Sequence, residues 1–253
     1  MSDETPQVTL CVTAHQQPYL AECLTSVAMQ FDATFELVLC ADLTGDPEVL
    51  THFEHFASQI GPRAVRIIEA NAGTAGAVRN AAFAAVATPW VTYLDGDDIL
   101  VPNAMRKLGT LAADGVGDII TAGMFRILSD GTRRPMVKSL TYKPPLWIYQ
   151  VDPRSLGHWA FFNQPLLIRH GLWQRYPFNE ETNREDVDFM LHQLLAGRYI
   201  KIPEVMYGYR SVPGSFSART YPSGDLCEVR YRTGYYGRLF YENYNTAFAE
   251  NFA

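Results

Sequence analysis

The sequence predicts an α/β protein with a mostly parallel central sheet flanked by helices. Short apolar runs alternate with stretches of helical length through residues 8–98. This alternation is typical of βαβ units, in which neighbouring strands run parallel. Polar residues follow several of these strands, and in parallel sheets ligands bind beyond the carboxyl ends of the strands. The pattern therefore predicts both the fold class and the edge of the sheet that carries the function.

The first part of the chain contains four predicted strands, each followed by a predicted helix. The strands are compact apolar runs. The first helix carries apolar residues at helical spacing, and the third is rich in alanine. The last strand is rich in β-branched and aromatic residues, which indicates a buried strand. The predicted strands are residues 8–14, 35–41, 64–69 and 90–94, and the predicted helices are residues 18–30, 48–58, 77–87 and 103–113.

The second part is predicted to be less regular. An apolar strand over residues 118–128 meets a turn at 129–132, which predicts a hairpin with residues 133–140. The irregular segment 141–164 is rich in aromatic residues and contains Trp147, His158 and Trp159. It is expected to pack on the sheet or to line a groove. A helix opening at 182–186 and ending at Gly197 is followed by a strand over 199–210.

The chain is expected to form one domain over residues 1–217 and an extension over residues 218–253. The extension is rich in Tyr and Phe without clear periodicity. It is expected to pack on the domain or to form a subunit contact, with a homodimer as one alternative.

Composition excludes several classes of protein. A net charge of −6 argues against nucleic-acid binding, which needs a basic surface. The four cysteines lack the CxxC spacing of a metal or redox motif. Cys11 and Cys40 lie in apolar runs, and this usage favours reduced, buried thiols. We expect no signal peptide and no transmembrane segment, since the longest apolar tract is interrupted at Thr88 and Pro89. A cytoplasmic location is the expectation.

The most informative segment lies at the end of the fourth strand. Asp95, Asp97 and Asp98 place three carboxylates within four residues. Three carboxylates at this spacing repel one another unless a cation lies among them. Mg²⁺ typically uses one or two protein carboxylates together with substrate phosphates. The alternative is an Asp-Gly turn in which Asp98 caps the helix that follows. At this point the residues leave both interpretations open.

Two other Mg²⁺-dependent classes fit less well. Phosphatases with an aspartate nucleophile carry their acidic pair on the first strand. Sugar nucleotidyltransferases carry a glycine-rich loop after the first strand, whereas residues 13–18 of this chain contain no glycine.

Eight segments in a fixed order resemble glycosyltransferase family 2, whose members have the GT-A fold. The likeness extends from residue 8 to about residue 217. Its segments are 8–15 (VTLCVTAH), 18–27 (PYLAECLTSV), 71–73 (NAG), 79–80 (RN), 93–98 (YLDGDD), 185–188 (EDVD), 209–210 (YR) and 213–217 (PGSFS).

The resemblance implies an inverting transferase that uses a nucleotide-diphosphate sugar, with a UDP-sugar favoured, and Mg²⁺ or Mn²⁺. Asp98 is implied as the metal ligand, and Asp97 as a ligand or a contact to the ribose or diphosphate. Asp186 is implied as the general base, with Glu185 as the second acid of its motif. The other implied donor-binding residues are Ala14, His15, Asp42, Asn71, Gly73, Arg79, Asp95, Gly96 and Arg210.

Several points stay open. Arg79 is expected either to contact phosphate or to be a solvated surface residue. Many relatives have a histidine where this chain has Val212, so closure of the loop 211–217 over the donor is less well supported; Ser215 and Ser217 are further phosphate candidates. The resemblance assigns residues of about 1–101 to the donor and residues of about 102–217 to the acceptor. His158 and Trp159 are candidate acceptor contacts, and Trp147 or Trp159 would suit stacking on a sugar ring. The acceptor is expected to be a small molecule, a saccharide or a lipid-linked compound. Three rival functions remain: a sugar nucleotidyltransferase, a non-catalytic nucleotide-sugar-binding homologue and an interaction module.

Overall fold

A computed structural model describes residues 5–16, 18–60, 65–135, 166–181 and 185–211. Within these ranges nine strands form one sheet, and six helices accompany it. The strands are β1 (Val8–Ala14), β2 (Glu36–Asp42), β3 (Val65–Ala70), β4 (Trp90–Asp95), β5 (Ile99–Leu100), β6 (Ile119–Ile127), β7 (Arg133–Pro135), β8 (Leu166–Arg169) and β9 (Tyr199–Arg210). The helices are α1 (Leu20–Ala28), α2 (Glu48–Gln59), α3 (Ala75–Ala84), α4 (Ala104–Asp114), α5 (His170–Arg175) and α6 (Glu185–Ala196).

The first half of the sheet is parallel, as the sequence predicts. Its strands lie in the order β3-β2-β1-β4, and every pair among these neighbours is parallel. The register aligns the carboxyl ends: Thr13 lies opposite Asp95, and Asp42 lies opposite Ala70. Polar residues that are far apart in sequence therefore meet at one edge of the sheet.

The second half of the sheet is mixed, so the expected parallel arrangement holds only in part. Strand β8 lies antiparallel between β4 and β6, and β9 pairs parallel with β6 and antiparallel with β5. The sequence analysis did not assign β5, β8 or α5. Strand β5 has two residues, and β8 passes into α5 without an intervening turn, so neither leaves a clear signal in the sequence.

Helices cover both faces of the parallel strands. All seven residues of β1 are buried, which explains why this strand is a continuous apolar run rather than an alternating one. Leu10 and Val12 face one core with residues of α1, α2 and α4. Cys11 faces the other core with residues of α3, α5 and α6. Cys11, Cys23 and Cys40 are buried free thiols, as expected.

Some predictions fall on residues outside the described ranges. They are the remainder of the hairpin strand (136–140), the aromatic segment with Trp147, His158 and Trp159, the loop residues 212–217 and the extension 218–253. Among the described helices, none combines the length and the apolar character needed to cross a membrane.

Candidate active site

Asp42, at the end of β2, joins the loops that follow three strands. Its Oδ1 accepts hydrogen bonds from the backbone N–H groups of Thr44 and Ala72, each at 3.1 Å, and from the Thr44 hydroxyl at 2.9 Å. Its Oδ2 accepts from the Gly73 N–H at 3.1 Å and lies 3.0 Å from His15 Nδ1. Burial raises the pKa of Asp42, but these hydrogen bonds outweigh it and leave that pKa below its ordinary value.

The neighbours of Asp42 differ in their exposure. The His15 side chain is 47% exposed and faces solvent at the sheet edge. Asn71 is also exposed. Gly73 has a φ of +71°, a conformation that glycine adopts without strain and that directs its N–H toward Asp42. Two of the predicted donor-binding positions, His15 and Gly73, therefore contact a third, the buried carboxylate of Asp42.

The acidic motif is held against the end of β1. The Thr13 hydroxyl donates to Asp95 Oδ1 at 3.1 Å, and the Gly96 N–H donates to the Thr13 carbonyl at 2.8 Å. A Cβ on Gly96 would lie 2.8 Å from the Ala14 Cβ, closer than real Cβ contacts come. The motif follows β4 as a tight turn that requires glycine at its second position.

The three acids of the motif have different surroundings. Asp98 is 2% exposed, and its carboxylate accepts from the Tyr207 hydroxyl and, over 2.6 Å, from the Arg210 N–H. Asp97 is only partly buried. Burial and the charge of Asp95 raise the pKa of Asp97 to about 6, although Arg210 and Arg79 oppose that shift.

This geometry separates two of the sequence interpretations. The helix-capping role considered for Asp98 is wrong: α4 begins after Asn103, and the Asp98 carboxylate faces β9. Asp98 is also the expected metal ligand. Both oxygens of its carboxylate accept hydrogen bonds from residues of β9. The Asp97 side chain, in contrast, is partly exposed. Among the described residues, no group of three metal-binding side chains occurs.

Arg210 fastens the end of β9 to both the acidic motif and α1. Its Nε donates to the Asp97 carbonyl at 2.8 Å, and its terminal nitrogen pairs with Glu22. The guanidinium lies 4.2 Å from the centre of the Tyr19 ring. The side chain expected to reach phosphate is therefore already located beside the motif.

The base motif lies at the start of α6. Glu185 is buried, and its Oε1 accepts from Arg79 at 2.6 Å, whereas Asp186 is exposed. Burial raises the pKa of Glu185, with the nearby Asp186 charge adding to the shift and Arg79 opposing it. Arg79 is only 6% exposed, so its interpretation as a solvated surface residue is wrong.

Sequence reasoning missed several residues that shape the site. Thr13 and Tyr207 each donate to a carboxylate of the acidic motif, and Thr44 donates to Asp42. Asn80, which was noted only as part of the resemblance, has four hydrogen bonds to the segment before α6. The polarity of Thr13 within an apolar strand was the only local signal, since the other contacts depend on how distant segments pack.

Comparison with known proteins places this geometry in a family. A family model described as "Glycosyltransferase like family 2" matches residues 6–201. The uncharacterized protein y4gI of Sinorhizobium fredii is 30% identical over 209 residues, which are 79% of this chain and 22% of that protein. The uncharacterized glycosyltransferase EpsJ of Bacillus subtilis is 25% identical over 226 residues, which are 85% of this chain and 64% of EpsJ. The chain thus spans less than two thirds of each of these two relatives.

Solved structures support the same fold. Residues 1–349 of S. aureus TarS in complex with UDP-GlcNAc superpose with a TM-score of 0.68 at 18% identity, covering 91% of this chain and 66% of that one. The same TarS fragment in a structure described without a ligand gives a TM-score of 0.67 at 19% identity, covering 81% of this chain and 60% of that one. At this identity the likeness establishes the GT-A fold. Because the family model matches most of the chain, the protein belongs to glycosyltransferase family 2.

Proposed function

We propose that this protein is an inverting glycosyltransferase that moves a sugar from a UDP-sugar to an acceptor hydroxyl. The observation that carries the proposal is the double ion pair of Arg79, which binds Asp95 of the acidic motif and Glu185 of the base motif. Two acidic motifs that lie far apart in sequence thereby border one site. A transferase needs this arrangement, since leaving group and incoming hydroxyl meet at the same carbon.

Asp186 is the proposed general base. It takes the proton of the acceptor hydroxyl while that oxygen bonds to the anomeric carbon, and the bond from that carbon to the diphosphate breaks with release of UDP. Glu185 is less suited to this role because it is buried and paired with Arg79. Asp186 is exposed at the first turn of the same helix, where an acceptor has access to it.

A divalent cation is proposed as the cofactor, either Mg²⁺ or Mn²⁺. Asp97 would hold it, because Asp98 is committed to Tyr207 and Arg210. When bound, the cation would neutralise charge that develops on the departing diphosphate. The choice of uridine is supported by the UDP-GlcNAc and UDP complexes of TarS, which shares the fold. The acceptor stays a prediction: a small molecule, a saccharide or a lipid-linked compound.

The test measures UDP release from UDP-GlcNAc and other UDP-sugars, with and without Mn²⁺ and with a panel of acceptors. Asp186→Asn is expected to lower kcat by at least about 100-fold while UDP still raises the thermal midpoint. Glu204→Gln, which replaces an exposed acid on β9, is the matched control and should remain active. Full activity of Asp186→Asn would overturn the assignment. Pyrophosphate release from a sugar phosphate and a nucleoside triphosphate would favour the nucleotidyltransferase instead.

A further inference from the structure

The guanidinium of Arg79 occupies the junction between α3, β4 and α6. Its Nε and one terminal nitrogen donate to the two oxygens of Asp95, at 3.3 and 2.7 Å. Its other terminal nitrogen donates to Glu185 Oε1 at 2.6 Å. One planar group thus binds two carboxylates from different halves of the chain, which a single ammonium group does less well.

Aromatic rings shield this junction from water. The Arg79 guanidinium lies 4.7 Å from the centre of the Tyr93 ring and 5.7 Å from that of Phe178. The side chain is 7% exposed, and that of its partner Glu185 is 8% exposed. Charges that are buried to this extent interact strongly, and removing one of them leaves its partner without compensation.

The two partners of Arg79 each adjoin a residue with a proposed chemical role. Asp95 lies two positions before Asp97, and Gly96 between them is packed against β1. Glu185 directly precedes Asp186 in the first turn of α6. Movement of either partner would therefore displace a neighbouring functional carboxylate.

We propose that Arg79 is a positioning residue, which sets the distance between the donor-binding motif and the base by tying Asp95 to Glu185. This inference rests on the proposed function, because it assigns the base to the residue after Glu185. The effect is indirect. All three guanidinium nitrogens of Arg79 donate to Asp95 or Glu185, so Arg79 acts on the reaction through these two acids. A displacement of about 1 Å at a reacting group lowers rates by roughly 100-fold.

The test compares Arg79→Lys, Arg79→Met and Glu185→Gln with the wild-type chain. The readouts are kcat and KM for UDP release from UDP-GlcNAc with Mn²⁺, UDP affinity by calorimetry, and the thermal midpoint by circular dichroism. Arg169→Met is the matched control: Arg169 pairs with Asp118 at 2.9 Å and lies 4.4 Å from the Trp90 ring, at the opposite end of β4. All assays are run well below the lowest midpoint.

A positioning role predicts a loss in kcat of about 100-fold for Arg79→Met, a partial recovery in Arg79→Lys, and a KM for the donor within roughly fivefold of wild type. The double variant of Arg79→Met and Glu185→Gln should be no slower than Arg79→Met alone, since both changes break the same contact between Arg79 and Glu185. Arg169→Met should lower the midpoint and leave kcat unchanged.

Two results would overturn the inference. The first is a folded Arg79→Met protein with wild-type kcat. The second is additive kcat losses in the double variant. If Arg79→Met does not fold, Glu185→Gln still decides the matter, because a wild-type kcat in that variant contradicts the proposed connection. Asp186→Asn is assayed in parallel: if it remains active, the proposed function fails, whereas an inactive Asp186→Asn beside an active Arg79→Met refutes only the positioning role.

Discussion

The backbone N–H of Arg210 donates to Asp98 Oδ1 over 2.6 Å and thereby joins the end of β9 to the acidic motif. The Tyr207 hydroxyl donates to the other oxygen of the same carboxylate. Asp98 is buried, so both of its oxygens contact groups of β9 at the point where the motif ends. Its neighbour Asp97 is partly exposed, and it is the carboxylate that we propose as the cation ligand.

This difference predicts opposite effects of two similar substitutions. Asp98→Asn replaces an acceptor oxygen with an N–H₂ group that faces a donor, which should lower the free energy of unfolding by about 1–3 kcal/mol. It should leave Mn²⁺-dependent UDP binding in place. Asp97→Asn should have little effect on stability and should abolish the contribution of Mn²⁺ to UDP affinity. Urea unfolding and calorimetry with UDP, with and without Mn²⁺, measure the two effects. The reverse pattern would assign the metal to Asp98.

Asp42 predicts a specific dependence of stability on pH. The folded protein holds the pKa of Asp42 below its ordinary value of 3.8, so its ionised form stabilises the fold at pH above that value. The contribution should be lost as the pH falls through the lowered pKa. Asp42→Asn should therefore cost about 1.5–3 kcal/mol near neutral pH, with the difference from wild type shrinking in acid.

Asp130→Asn is the matched control for this measurement. The pKa of Asp130 is also lowered, by hydrogen bonds from Thr132, but the side chain is exposed. Solvent screening makes such a group contribute little. Urea unfolding at several pH values distinguishes the two residues, and a constant difference between wild type and Asp42→Asn across that range would contradict the argument.

The sequence predicted the parts of the fold that depend on local patterns. The apolar runs identified β1 to β4, and the carboxyl ends of those strands do meet at one edge, as Thr13 opposite Asp95 shows. The resemblance also located both acidic motifs. Strand β8 was missed because its position between β4 and β6 depends on packing rather than on periodicity.

The sequence did not distinguish the roles of neighbouring acids. Asp97 and Asp98 are chemically identical, and only the contacts of Asp98 with Tyr207 and Arg210 of β9 distinguish their surroundings. Glu185 and Asp186 differ in the same way, because Arg79 from α3 pairs with the first. Contacts over such separations leave no pattern that a single sequence reveals.

Asn80 offers a test of how the segment before α6 is held. Its Oδ1 accepts from Trp173 Nε1 and from the Phe178 N–H, each at 3.0 Å, and its Nδ2 donates to the Phe178 carbonyl at 2.9 Å and to Glu180. Asn80→Asp keeps the acceptor but places an oxygen against two others. It should therefore lower the free energy of unfolding by about 2 kcal/mol or more, measured by urea unfolding. Equal stability of Asn80→Asp and wild type would show that these bonds add nothing.

The close approach of Gly96 to Ala14 predicts a rescue. In Gly96→Ala the new Cβ would lie 2.8 Å from the Ala14 Cβ, so the turn that carries Asp95 and Asp97 must shift away from β1. This overpacking should cost about 1–3 kcal/mol and weaken UDP affinity. Adding Ala14→Gly removes the nearest contact and should restore part of the stability and part of the UDP affinity. The Thr13 carbonyl remains 3.3 Å from the new Cβ. If the double variant is no more stable than the sum of the single changes predicts, the contact between these residues does not set the position of the turn.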